Sequence, residues 1–297
     1  MKKTVFTGSG VALITPFKNG EVDFESLGEL LQYHIDNSTD AIIVCGTTGE
    51  SATMPDKEHL SVIEYAVKHV HGAVPVIAGA GSNDTKHGIE LTKEAAHLGA
   101  DAVLLVTPYY NKATQKGLIK HYTDTASAVD IPCILYNVPS RTGTDIKPST
   151  VKVLSEVDNI VAIKEATGDI ARAIQIRALC GDNMDIYSGN DDITVPILSA
   201  GGKGVISVVA NIAPKETHDM VHLYLNGERE KALDIQVKML DLINALFCEV
   251  NPIPVKTAMN LLGFKAGDLR MPLCEMEENT LAILKKALTD YGFELKK

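Results

Sequence analysis

Cysteine is sparse in this sequence and never clustered. The five residues, Cys45, Cys133, Cys180, Cys248 and Cys274, are odd in number and form no CxxC pair. That pattern argues against a disulfide scaffold and a cysteine-built zinc site, and it suits a reducing cytoplasm. No apolar run is long enough to cross a bilayer. The opening MKKTVFTGSGVALITPF begins with two lysines, but Gly8, Gly10 and Pro16 break its short apolar stretch, so a secretory signal is not expected. Clusters of Lys or Arg are missing too, and 38 acidic against 28 basic residues leave a formal charge of −10. Nucleic acid and anionic membranes are therefore poor partners.

What is present is an ordinary globular composition: 297 residues, 45% apolar and 22% charged. Short, nearly all-apolar runs recur at 11–15, 41–44, 75–78, 102–106, 133–136, 160–164, 185–188 and 204–208. Strands of a parallel sheet buried on both faces read this way. Helical patterns lie between them, at 24–37, 57–71, 85–98, 115–129 and 170–180. About eight strand–helix repeats fit a closed (β/α)₈ TIM barrel. An open doubly wound sheet is the rival, disfavoured because no GxGxxG follows the first strand and no P-loop is present. The strand signal stops near Asn226, and 228–247, 254–262 and 277–291 read as helices. The expected organisation is a barrel over residues 1–226 carrying the active site, then a C-terminal helical appendage over 227–297. A stiff turn falls at Asn251-Pro252-Ile253-Pro254, since each proline restricts itself and the residue before it.

Barrel chemistry gathers at the C-terminal ends of the strands. Those ends carry Gly46-Thr47-Thr48-Gly49-Glu50, Ser82-Asn83, Thr107-Pro108-Tyr109-Tyr110-Asn111, Tyr136-Asn137-Val138-Pro139-Ser140-Arg141, Lys164-Glu165 and Ser188-Gly189-Asn190. Hydroxyls, phenols, one lysine and one arginine thus converge on one mouth. Lys164 closes an apolar strand and shares a face with Ala162. If that face is the barrel interior, desolvation favours the neutral amine that attack on a ketone requires. The plain alternative is a strand-end lysine snorkelling to water. Tyr136 ends the neighbouring strand, where a phenol is either a proton relay or a core tyrosine with a satisfied hydroxyl. Thr47 and Thr48, flanked by glycines, form either a nest for a small carboxylate or a simple strand-to-helix turn. Arg141 suits bidentate carboxylate binding, or else is a solvated loop arginine.

Other features read as structural. His218 and His222 stand one helical turn apart, but no HExxH-type motif accompanies them, so a surface helix is expected. Gly201-Gly202-Lys203-Gly204 precedes a strand, which puts it at the wrong end of a barrel for a phosphate.

The segments GTTGESAT, VTPYYN, LYNVPSRTG, IKEATGD and NPIPVK resemble the dihydrodipicolinate synthase family, and the similarity runs through nearly the whole chain. GTTGE and the lysine strand are shared with the wider pyruvate-lyase superfamily, whereas YNVPSRTG with TPYYN is more specific. The resemblance implies a pyruvate-dependent class I aldolase that condenses pyruvate with L-aspartate 4-semialdehyde, on the diaminopimelate route to lysine. It implies Lys164 as the imine lysine, and Tyr136, Thr47 and Tyr110 as a proton relay, with Tyr110 lent by a partner subunit. It further implies Thr48 on the pyruvate carboxylate, Arg141 on that of the semialdehyde, and Gly189 and Ile206 lining the site through their backbone. A homotetramer, built as a dimer of dimers, and the lack of any metal or organic cofactor are implied as well. Sugar-acid aldolases of the superfamily generally lack an arginine after the tyrosine strand, so Arg141 favours the synthase. A dead barrel that only senses a keto acid is disfavoured by the intact set of Lys164, Tyr136, Thr47 and Tyr110. At the regulatory cleft, Ser51, Ala52, His59, Asn83 and Tyr109 match the lysine-inhibited pattern. Asp56 and His87 do not, because inhibited members tend to carry His and Glu there.

Overall fold

The computed structural model describes residues 2–296. Eight strands close into a parallel barrel: β1 Gly8–Ala12, β2 Ala41–Val44, β3 Val76–Gly79, β4 Ala102–Val106, β5 Cys133–Asn137, β6 Ile160–Glu165, β7 Asp185–Ser188 and β8 Gly204–Ser207. β8 returns to pair with β1, so no barrel edge is left open. Helices separate the strands, which makes this the expected (β/α)₈ TIM barrel, with C-terminal helices following. No helix among the described residues is long and apolar enough to cross a membrane.

Strand alternation explains the two-sided apolar pattern. Ile43, Ile77, Leu104, Ile134, Tyr136, Ala162, Tyr187 and Ile206 form one buried cluster inside the barrel. Their neighbours Ile42, Val44, Val103, Leu105, Leu135, Ile163 and Ile186 pack outward beneath the helices. Phe6 stacks on Tyr187 with ring centroids 4.3 Å apart, and the Tyr187 hydroxyl donates to Phe6 O at 2.6 Å. This pair stoppers the barrel at the end where the strands begin.

Two expectations need correction. The first strand is Gly8–Ala12 rather than residues 11–15. Gly8 and Gly10 read as breakers, yet glycine is what lets β1 pass its neighbours: a Cβ on Gly10 would lie 2.8 Å from Ile43 Cδ1 and from Phe6 Cζ. Helices Pro139–Thr142, Pro148–Leu154 and Thr194–Ser199 lie outside the helical runs read from the sequence, whereas Pro214–Leu225 is the surface helix expected to carry His218 and His222. Pro139–Thr142 and Pro148–Leu154 open on proline, which is at home in the first turn of a helix.

Helices Arg229–Leu246, Ile253–Leu261 and Glu278–Tyr291 follow the barrel. Met239, Leu242, Leu246, Val255, Met259, Leu284 and Leu288 from these helices join the same apolar cluster as the outer faces of the strands. Helix Ile253–Leu261 also drives Lys256 into the protein. Its ammonium donates to Glu50 Oε1 at 2.7 Å, with side chains 1% and 0% exposed. It sits 4.3 Å from the Phe17 ring centroid, and Glu50 Oε2 accepts the Arg270 N–H at 3.0 Å. Burial pulls the Lys256 ammonium below the usual lysine range, and the Glu50 carboxylate opposes that pull. Lys256→Met strands Glu50 as an unpaired buried charge and is expected to cost about 3–5 kcal/mol. Urea midpoints measure this, and adding Glu50→Gln should restore part of the loss.

Candidate active site

Lys164 stands on β6 and is 5% exposed. It shares the interior face with Ala162, as alternation requires. Parallel pairing sets Tyr136 of β5 directly beside it, and the Lys164 Nζ lies 4.4 Å from the centre of the Tyr136 ring. Both open onto a cavity of about 160 Å³ that Thr47, Thr48, Arg141 and Gly189 also line. Six of the eight residues to which the resemblance assigns a part in the reaction therefore meet in one chain. Ile206 is buried in the interior cluster, and the cavity wall on the β8 side is Val208. Tyr110 lies outside the cavity, 91% exposed, on a left-handed residue of φ 71°.

Each wall has a local cause. After β2 the chain folds into a tight turn, with Gly49 N–H donating to Gly46 O at 3.1 Å and Glu50 N–H to Thr47 O at 3.1 Å. The Thr15 hydroxyl donates to Gly49 O at 2.8 Å. The N–H groups of Thr47 and Thr48 take no part in these turn bonds. Arg141 rides on helix Pro139–Thr142, which closes on the left-handed Gly143. The Thr107 hydroxyl donates to Thr142 Oγ1 at 2.9 Å and ties that short helix to the end of β4. Buried Asp191 accepts from the N–H groups of Val208 and Val209, each at 3.0 Å, and so fixes the chain leaving β8. Burial raises the Asp191 carboxyl above its usual range. Hydrogen bonds from Ser207 and the two N–H groups work the other way, as does the Lys164 ammonium.

Residues of the regulatory pattern also come together, outside the cavity. His59 Nε2 is 2.8 Å from Gly79 O, and burial lowers its pKa. Asn83 donates to Tyr109 O at 3.2 Å. His87 bridges Ser82 Oγ at 3.1 Å and Asp56 Oδ1 at 3.0 Å, so the two departing residues are partners of each other. Ser51 and Ala52 form the single turn of 3₁₀ helix just before.

Asn251 was read only as part of a stiff turn, yet it belongs to the cavity. Its Nδ2 donates to Thr48 Oγ1 at 3.0 Å, while its buried Oδ1 has no partner. Asn190 likewise lines the cavity with an unpartnered buried Oδ1. Phe247, from the C-terminal helices, completes the rim. Polar residues at a strand end signalled Asn190, but no local pattern signals a contact across 203 positions. A roomier groove of about 870 Å³ runs among Lys256, Asn260, Met271 and Lys285, away from Lys164.

Residues 5–291 match the Dihydrodipicolinate synthetase family. The chain belongs to that family. A 4-hydroxy-tetrahydrodipicolinate synthase from Caldicellulosiruptor saccharolyticus is 61% identical over 293 residues, covering 98% of this chain and 99% of the relative. The crystal structure of a dihydrodipicolinate synthase from Aquifex aeolicus superposes with a TM-score of 0.96 at 48% identity, over 98% of this chain and 100% of the other. The chloride-inhibited dihydrodipicolinate synthase from Acinetobacter baumannii, solved in complex with pyruvate, gives 0.95 at 44% identity, over 98% and 100%.

Thr48 owes part of its placement to Asn251. Asn251→Ala removes a hydrogen bond worth about 0.5–1.5 kcal/mol. Calorimetric titration with a small 2-oxo acid should show affinity falling by roughly 2- to 13-fold, with the fold retained.

Proposed function

We propose that this chain carries out its family's reaction, the condensation of pyruvate with L-aspartate 4-semialdehyde, through an imine on Lys164. One observation carries the reading: a lysine amine at the floor of a stoppered barrel, beside a phenol and beneath threonines and an arginine. The amine adds to the pyruvate ketone and water leaves, which forms the imine. Loss of a methyl proton gives the enamine, whose carbon bonds to the aldehyde carbon of the second substrate. Attack of that substrate's amine on the imine carbon then closes the ring and frees Lys164. Every stage moves a proton, and Tyr136 and Thr47 are the hydroxyls within the cavity suited to move it. Tyr110 is the third member of the relay, supplied by a second subunit; its exposure beyond its own cavity supports that role. A homo-oligomer, built as a dimer of dimers, is part of this proposal.

Thr48 and the spare N–H groups of its turn receive the pyruvate carboxylate, and Arg141 at the rim receives that of the semialdehyde. Gly189 contributes backbone to the wall, and on the β8 side Val208 stands where the resemblance puts Ile206. The imine route needs no metal or organic cofactor. Scattered free thiols and a biosynthetic task both fit a cytoplasmic enzyme.

Borohydride added with pyruvate is expected to fix one reduced pyruvyl group on Lys164. Peptide mass spectrometry finding it elsewhere, or not at all, refutes the mechanism. Lys164→Arg should abolish most activity, because a guanidinium stays protonated. Arg141→Ala should raise the KM for the semialdehyde by roughly 10- to 100-fold, the equivalent of about 1.5–3 kcal/mol, while imine trapping with pyruvate persists.

Lysine is expected to inhibit weakly or not at all. A bound lysine needs a carboxylate for its side-chain ammonium, and where inhibited relatives offer glutamate this chain has His87. Asp56 supplies a carboxylate nearby, but His87 already engages it. Half-inhibition of the initial rate at neutral pH should require more than about 1 mM lysine, the level at which binding is worth about 4 kcal/mol. A lower value overturns this reading of the cleft.

A further inference from the structure

We propose that Asp40, His218 and His222 form a binding site for a divalent first-row transition ion, with Zn²⁺ as its representative, at the end of the barrel opposite the mouth. No HExxH-type motif accompanies His218 and His222, but the fold supplies a carboxylate from 178 residues away. His218 and His222 lie four apart on helix Pro214–Leu225, on one face, with ring centroids 4.0 Å apart. Asp40 immediately precedes β2, and both its oxygens turn towards the rings. Oδ2 is 2.9 Å from His218 Nδ1, and Oδ1 is 3.1 Å from His222 Nε2. One donor atom from each of the three residues falls within 4.8 Å of the others. Two donors bound to one ion at about 2.0–2.1 Å lie roughly 3 Å apart.

Two further observations mark this as a prepared space. Asp40 is held at both ends: its N–H donates to Ser9 O at 2.9 Å, and the Ser9 N–H donates to its Oδ2 at 2.7 Å. An outer donor of this kind orients a ligating carboxylate. The second observation is independent. Gly8 has φ +125°, and a Cβ there would fall 2.0 Å from Asp40 Oδ2 and 2.8 Å from His222 Nε2. Glycine thus keeps clear the point where the donors converge. The His218, His222 and Asp40 side chains are 24%, 36% and 17% exposed, so an ion can enter and water can fill its remaining positions. Two imidazoles and one carboxylate favour Zn²⁺, Co²⁺ or Ni²⁺ over Mg²⁺.

The ion would take the place of the ring protons that otherwise bridge the imidazoles to Asp40. It would fasten helix Pro214–Leu225 to the seam where β1 meets β2 and β8. Its effect is on stability, since Lys164 and the cavity lie at the other end of the strands.

The test uses the full chain carrying Cys274→Ser, because that exposed thiol would bind zinc independently. After EDTA treatment, calorimetry with ZnCl₂ should reveal one equivalent per chain, Co²⁺ should give a visible ligand-field spectrum, and MgCl₂ should give nothing. Zinc should raise the Tm and leave the aldol condensation rate unchanged. His218→Ala and His222→Ala should each weaken zinc binding by more than the about 10- to 100-fold typical of losing an outer partner, and should erase the Tm rise. Less than one equivalent bound, or an affinity in either variant unchanged from the parent, overturns the proposal and leaves a hydrogen-bonded Asp–His cluster only.

Discussion

Glu50 and Lys256 meet where neither reaches water, and the mouth of the barrel hangs on that meeting. Glu50 belongs to the turn that presents Thr47 and Thr48, while Lys256 belongs to a helix about two hundred residues later. An isolated buried charge costs several kcal/mol, so each makes the other's position obligatory. Arg270 extends the constraint: its backbone N–H reaches Glu50, its guanidinium pairs with Glu58, and it lies over the Phe17 ring. The C-terminal helices are therefore part of the site's support, and Asn251, one helical entry away from Lys256, carries that support to the Thr48 hydroxyl.

The barrel turns an ordinary property of strands into chemistry. Alternation that puts Ala162 inside must put Lys164 inside also, and parallel register sets Tyr136 beside it. Large apolar side chains fill the lower layers, so only the layer at the strand ends leaves room for a ligand. The amine gains its surroundings from this layering, while the turn after β2 and the short helix after β5 bring polar groups over it.

The sequence made the periodic parts readable. Seven of the eight strands lie within a residue or two of their apolar runs, because burial on both faces leaves little else for those runs to be. Lys164, Tyr136, Thr47, Thr48, Arg141 and Gly189 were placed at the mouth by their positions at strand ends, while the family resemblance gave them their expected roles. What was not legible depends on close approach or distant pairing. Gly8 and Gly10 looked like breaks because a glycine's value lies in neighbours the local sequence does not name. Asn251 and Asp40 looked unremarkable because their partners sit 203 and 178 positions away. Pro139 belongs to a segment that reads as a loop, and helix starts use the same residue.

The Phe6–Tyr187 pair fills the barrel interior where the strands begin, and the cavity at Lys164 lies among the strand ends. In a cul-de-sac, traffic is last in, first out. On the proposed chemistry, a molecule joined to Lys164 at the floor arrives before one that docks against Arg141 at the rim, and the later arrival would bar the earlier one's way in. Order of addition is then set by architecture instead of by relative affinity. The rim-docking substrate, at concentrations that fill the rim, should obstruct an empty site.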